Sequence, residues 1–184
     1  MGDGVLRETT ALLERTPRVL TELLHGLPAS WLEGTDTPGG WKARDVVGHL
    51  ISAELDDWIP RFGLIATYGP DRPFEPFDRF AHVERDRNVA LEALLARFGE
   101  LRAASLTRLG ELVNDDGDLE QAGTHPSLGR VTMGQLLATW GVHDLDHIAQ
   151  AFAALSASQD DAVGPWKAYL GILLRREDTS AQPG

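Results

Sequence analysis

Residues 132–155, TMGQLLATWGVHDLDHIAQAFAAL, limit what this chain can fold into more than any other stretch. Leu136, Trp140, His143, His147, Ala151 and Ala154 follow one another at steps of three and four, the spacing that lines one face of an α-helix. Thr132, with Gln135 three residues on, gives a capping-box start directly ahead of the apolar run. Two imidazoles four residues apart lie one helical turn above one another and can reach one small cation together. Both fall in the stripe that should face a core. A buried imidazole needs a partner for each ring nitrogen, and a metal ion is one such partner among several.

The remaining periodicity is also helical. Between residues 5 and 27, Leu12, Leu13, Val19, Leu20, Leu23, Leu24 and Leu27 recur at helical steps, interrupted by Thr16-Pro17, which predicts a kink or two short helices in series. The turn formers of SWLEGTDTPGGW predict a loop. A second helix is expected from Trp41 or Lys42 through Tyr68, bent at Pro60 without ending there, with Val46, His49, Leu50, Ala53 and Trp58 on its apolar face. GPDRPFEPFDRF reads as an ordered loop or lid, since its three phenylalanines would be costly to leave in water. Leu94, Leu95, Phe98, Leu101 and Leu109 mark a third helix from about His82 to Val113, and the polar NDDGDLEQAGTHPSLGR then leads as a loop into the central helix. Gly164-Pro165 opens a last helix whose Trp166, Tyr169, Leu170 and Leu173 can close over the bundle, before a fraying REDTSAQPG. No β-alternation stands out. The expected fold is all-α, a four-helix bundle with short additional helices. Residues 1–184 read as a single domain, with the bundle core at about 5–156 and a C-terminal helix at about 164–175.

Charge and composition narrow the function. With 28 acidic and 17 basic side chains, the formal charge of −11 repels nucleic-acid phosphates and anionic lipid. No cysteine is present, so disulfides, Cys-ligated zinc and a protein thiol nucleophile are all excluded. The beginning of the chain carries no signal peptide and no apolar run of spanning length, which predicts a cytoplasmic protein without a membrane partner. The five tryptophans read as packing residues.

Histidine and carboxylate remain as possible metal ligands. His49, on the apolar side of the second helix, is the best candidate for a third imidazole. His25, His82 and His125 sit at helix ends or in a loop, where exposure explains them. Three nitrogen ligands with an open fourth position describe a catalytic metal site; zinc or nickel suits imidazole best, and iron or cobalt is compatible. HDLDH departs from the HExxH of zinc proteases, since Asp144 is one methylene shorter than the glutamate base and no zincin-type third ligand follows. Asp144 is still a candidate base. Asp144, Asp146 or Gln150 could hold a ligand imidazole by its second nitrogen. Phe74, Phe77 and Phe80 are candidates to wall a pocket, and Arg61 or Arg79 to meet an anionic substrate.

WKARDVVGHL, then WIPRFGLI, then THPSLGRVTMGQLLATWGVHDLDHIAQ resemble the DinB-like (DinB/YfiT, damage-inducible) superfamily over roughly residues 5 to 156. The resemblance implies a four-helix bundle of unusual connection, commonly a homodimer, with a metal held by one histidine of the second helix and two of the last. In this sequence those are His49, His143 and His147. Members with an assigned activity are thiol-dependent transferases or isomerases using mycothiol, bacillithiol or glutathione, which implies a small-molecule substrate and a low-molecular-weight thiol as cofactor. A metal-dependent hydrolase and a non-catalytic, stress-linked metal-binding bundle are the competing readings.

Overall fold

The computed structural model of the chain describes residues 4–178. Its four legs are helical, as the periodicity predicts. The first leg is broken in two, α1 (Val5–Leu13) and α2 (Thr16–Leu24), with Pro17 in the first turn of α2 where a missing N–H is harmless. A single turn, α3 (Ala29–Leu32), follows within the expected loop.

The second leg differs from expectation. It is not one bent helix but α4 (Ala43–Asp56) and α5 (Trp58–Tyr68), separated at Asp57, where φ is −114° and ψ −70°. The reason is Pro60, whose ring clashes with the carbonyl four residues back and so displaces the break toward Asp56 and Asp57. Asp57 then pairs with Arg61 at 2.6 Å across the new first turn.

The expected third helix also divides, into the short α6 (Ala81–Arg85) and the long α7 (Leu91–Leu112). Arg44 of α4 pins the turn between them, donating to the carbonyls of Asp86 and Val89 at 2.8 and 2.9 Å. The segment taken as a plain polar loop contains a hairpin, β1 (Ala122–His125) antiparallel to β2 (Gly129–Thr132), with Ala122 opposite Thr132 and His125 opposite Gly129. Four residues per strand are too few for a period of two to register. Gly123 lets β1 lie on α5, because a Cβ there would meet the Ile65 side chain at 2.6 Å.

The fourth leg, α8 (Met133–Ala157), starts as its sequence indicates. The Gln135 amide donates to the Thr132 hydroxyl at 3.1 Å, and the Thr132 amide to the Gln135 side-chain oxygen at 2.9 Å. Residues 164–169 form a 3₁₀ turn and α9 (Gly171–Asp178) packs on α8. Only part of the expected closing surface does so: Leu173 is buried, whereas Trp166 and Tyr169 are 72% and 82% exposed. α9 continues into the segment expected to fray, and residues 179–184 lie outside the described residues. Among the described residues no helix is long and apolar enough to cross a membrane.

The core has two apolar clusters. Leu13, Trp58, Phe62, Leu109, Leu137 and Trp140 belong to one, with Trp58 and Trp140 stacked 5.5 Å apart. Leu20, Val47, Leu50, Leu94, Phe98 and Ala151 belong to the other. Each fully buried side chain of this kind contributes about 1.5–3 kcal/mol. Along α4, α7 and α8 the two clusters meet at a charged layer. Arg102 of α7, 1% exposed, donates to Asp144 of α8 through both terminal nitrogens (2.6 and 3.0 Å), to Glu54 of α4 (2.9 Å) and to the Leu13 carbonyl (2.8 Å). Removing one partner of such a buried network leaves the others charged and unpaired, so Arg102→Ala should lower unfolding stability by about 3–5 kcal/mol. Arg108→Ala, which breaks an exposed pair with Glu111, should change it by less than about 1 kcal/mol. Urea midpoints of both variants check this contrast.

Candidate metal centre

Three imidazoles from two legs of the bundle converge beside the charged layer. His49 sits midway along α4, and His143 and His147 one turn apart on α8. The His143 Nε2 atom lies 3.2 Å from Nε2 of His49 and 3.1 Å from Nε2 of His147, and one nitrogen from each ring falls within 4.8 Å of the others.

The opposite edges of two rings settle where their protons are. His49 Nδ1 faces the Arg79 carbonyl at 3.2 Å, and a carbonyl only accepts, so Nδ1 carries the hydrogen. His147 Nδ1 faces the Gln150 side-chain oxygen at 2.6 Å, and that amide is oriented because its nitrogen donates to Asp36 at 2.6 Å. Both rings therefore present an Nε2 lone pair to His143. A neutral His143 holds one hydrogen and can satisfy one of those lone pairs at most; the second contact would then set lone pair against lone pair. Its own Nδ1 is buried without a partner. A cation among the three Nε2 atoms removes this conflict, and two of the rings have the hydrogen-bonded outer edge that metal-bound histidines ordinarily show.

Protonation offers no way out of the conflict. Burial, followed by repulsion from His147, pushes the pKa of His49 down to about 3; the same two causes, with further repulsion from His49 and Arg102, push His143 down to about 2. His147 is lowered as well, chiefly by burial. The burial is aromatic. Trp41 lies 4.9 Å from His49 and stacks at 6.3 Å on His147, Phe77 is 5.6 Å from His49, and Trp58 meets His143 edge-on at 5.0 Å. A cleft of about 540 Å³ opens beside His147, bordered by Arg79, Asp146, Gln150 and Phe152.

Other candidate residues fall elsewhere. Asp144 is fully buried and both its oxygens accept from Arg102, so the residue considered as a base is part of the charged layer instead. Glu54 lies in that layer too and stays off the imidazoles. Arg61 is taken by Asp57 and stacks on Phe74, which is buried in the core. Phe77 walls the site, while Phe80 is 56% exposed and meets Trp41 edge-on without touching the imidazoles. His25 is exposed and His125 lies on the hairpin. His82, expected at an exposed helix start, is buried between Trp41 and Gly48, 5.9 Å from His49. Sequence reasoning took Trp41 for simple packing and did not see that the Arg79 carbonyl holds His49 or that Asp36 holds Gln150 against His147. Their signal is weak, because all three come from loops.

Residues 12–151 match the family model of the DinB superfamily. The chain belongs to the DinB superfamily. This DinB chain is 26% identical over 147 residues to a protein of Oceanobacillus iheyensis named "Putative metal-dependent hydrolase", a match that covers 79% of this chain and 83% of the relative. A Bacillus cereus protein of the same name is 24% identical over 139 residues, 74% of this chain and 78% of that one. Among solved structures, YfiT from Bacillus subtilis, described as "a probable metal-dependent hydrolase with an unusual four-helix bundle topology", superposes with a TM-score of 0.69 at 25% identity, covering 85% of this chain and 87% of that chain.

The lowered imidazole pKa values set the acid sensitivity of metal-free protein. In the unfolded chain these histidines take up protons near their ordinary value of 6.5, whereas in the folded chain His49 does so only near 3. Stability is therefore retained above about pH 6.5 and lost as pH falls from there toward 3, by up to about 1.4 kcal/mol per pH unit from His49. Urea unfolding in the presence of a chelator, repeated on His49→Ala, should give a shallower loss in the variant.

Proposed function

We propose that this chain is a metal-dependent enzyme in which His49, His143 and His147 hold one divalent cation, zinc or nickel, and that it transfers a low-molecular-weight thiol such as mycothiol or bacillithiol to a small electrophile. The observation that carries the metal is the set of three Nε2 atoms with two lone pairs fixed by their outer partners. A divalent cation with three imidazole ligands keeps a position open and lowers the pKa of a thiol or water bound there.

The residues around the centre support thiol transfer over hydrolysis. Thiol and water each give up one proton before attack, but a free thiol starts at a pKa of about 8.5 and water at about 15.7, so the bound thiol needs less help from a protein base to lose it. Hydrolysis asks for a group that takes the proton of the attacking water. The carboxylate next to His143 in sequence cannot serve, since Arg102 holds both oxygens of Asp144. Trp41, Phe77 and Trp58 keep the imidazole edges dry, which favours a soft, weakly hydrated nucleophile. Hydrolysis remains as a second reading, favoured by the names of the relatives and by Asp146, an exposed carboxylate on the same cleft.

Zinc-loaded and nickel-loaded protein, given a bacterial thiol with a chlorinated or epoxide acceptor, should form the thioether conjugate, detected by mass spectrometry. His49→Ala and His143→Ala should lose the product together with most of the bound metal, measured by elemental analysis. Cleavage of esters or amides without added thiol, reduced in Asp146→Asn, would replace thiol transfer by the hydrolytic reading.

A further inference from the structure

Arg79 meets the site at two points. Its carbonyl accepts from His49, and its side chain borders the cleft of about 540 Å³ beside His147. The guanidinium lies 5.7 Å from the centre of the Trp41 ring and 5.2 Å from that of Phe80, so aromatic faces hold it in place. None of the ion pairs formed among the described residues includes it, whereas Arg61, Arg85, Arg87, Arg97, Arg102 and Arg108 each have a carboxylate.

Its charge also reaches the triad, where it opposes protonation of both His49 and His147. A cation held by three neutral imidazoles would add positive charge beside the cleft that Arg79 and His147 both border, and two like charges facing one cleft favour an anion there. Asp36 accepts from the Trp41 amide and from Gln150, and Asp146 is exposed. The exposed Asp146 carboxylate disfavours a second negative charge in the ligand, so a monoanion fits better than a dianion. The wall formed by Phe152, Ala153 and Ile172 is apolar.

We propose that the Arg79 guanidinium is the anion-recognition group of this cleft and that the molecule taken up there is a small monocarboxylate, its carboxylate on Arg79 and its apolar body against Phe152, Ala153 and Ile172. The identity of this molecule as the reacting substrate rests on the metal-centre reading; recognition of its charge does not.

The test compares hexanoate, hexanamide and hexylphosphonate by isothermal titration calorimetry on the full chain, metal-free and zinc-loaded, with zinc content measured in parallel. Hexanoate should bind more tightly than hexanamide by about tenfold or more, the scale of a charge-assisted bidentate pair. Arg79→Gln should erase that preference in both forms, and Arg79→Lys should keep part of it, since lysine supplies the charge without the planar fork. Each substitution leaves the backbone carbonyl that orients His49. A preference that survives Arg79→Gln belongs to another group of the cleft, or in the zinc-loaded form to the cation, and overturns the assignment, as does a wild-type chain that does not discriminate or that prefers the phosphonate. Wild-type protein that takes up no zinc overturns the metal reading alone, and the metal-free titrations then decide the role of Arg79.

Discussion

One buried cation organises this bundle. The Arg102 guanidinium cannot be desolvated alone, and its five hydrogens reach Glu54, Asp144 and the Leu13 carbonyl, which belong to three other helices. Burial by itself would depress the charge on Arg102; the two carboxylates more than offset it. Glu54 shows the opposite side of the balance, with burial raising its pKa against the pull of Arg102. Two apolar clusters could slide or rotate against one another at modest cost, but a bidentate fork allows one register only. Asp144 facing Arg102 fixes the rotation of α8 about its axis. His143, the preceding residue and about 100° around the helix, is thereby turned toward α4 and His49.

Around the imidazoles a second set of bonds restricts the rings of His49 and His147. Gln150 holds His147, Asp36 holds Gln150, and the Trp41 amide donates to Asp36 at 2.6 Å. This chain joins α8 to the loop before α4, the same loop that places the Trp41 ring over His49 and His147. The Arg79 carbonyl closes the other side. Lone pairs that would ordinarily be satisfied by water are thus gathered, dry and oriented, at one point, an arrangement that is unfavourable for the protein alone and favourable once a cation occupies it.

Much of this was legible in the residues themselves. The capping box of Thr132 and Gln135 formed as written, and the periodicities placed all four legs, including the break at Thr16-Pro17. His49, His143 and His147 were selected from helical faces and are the three imidazoles that meet. Less legible were features set by only a few residues. The hairpin has four residues per strand, the break at Asp57 lies three residues before the proline that causes it, and His82 is buried by Trp41, about forty positions away in the chain.

The sequence by itself determined helix positions, their apolar faces and the types of side chain on them, because period, caps and breakers act within a few residues. The tertiary structure alone decided partners. Asp144 looked like a base beside a ligand until Arg102, 42 residues away, claimed both of its oxygens. Arg61 and Arg79 were equal candidates until one found Asp57 and the other was left on the cleft. Which of several charged groups is neutralised depends on distances between separate helices and loops, and no local pattern encodes those distances.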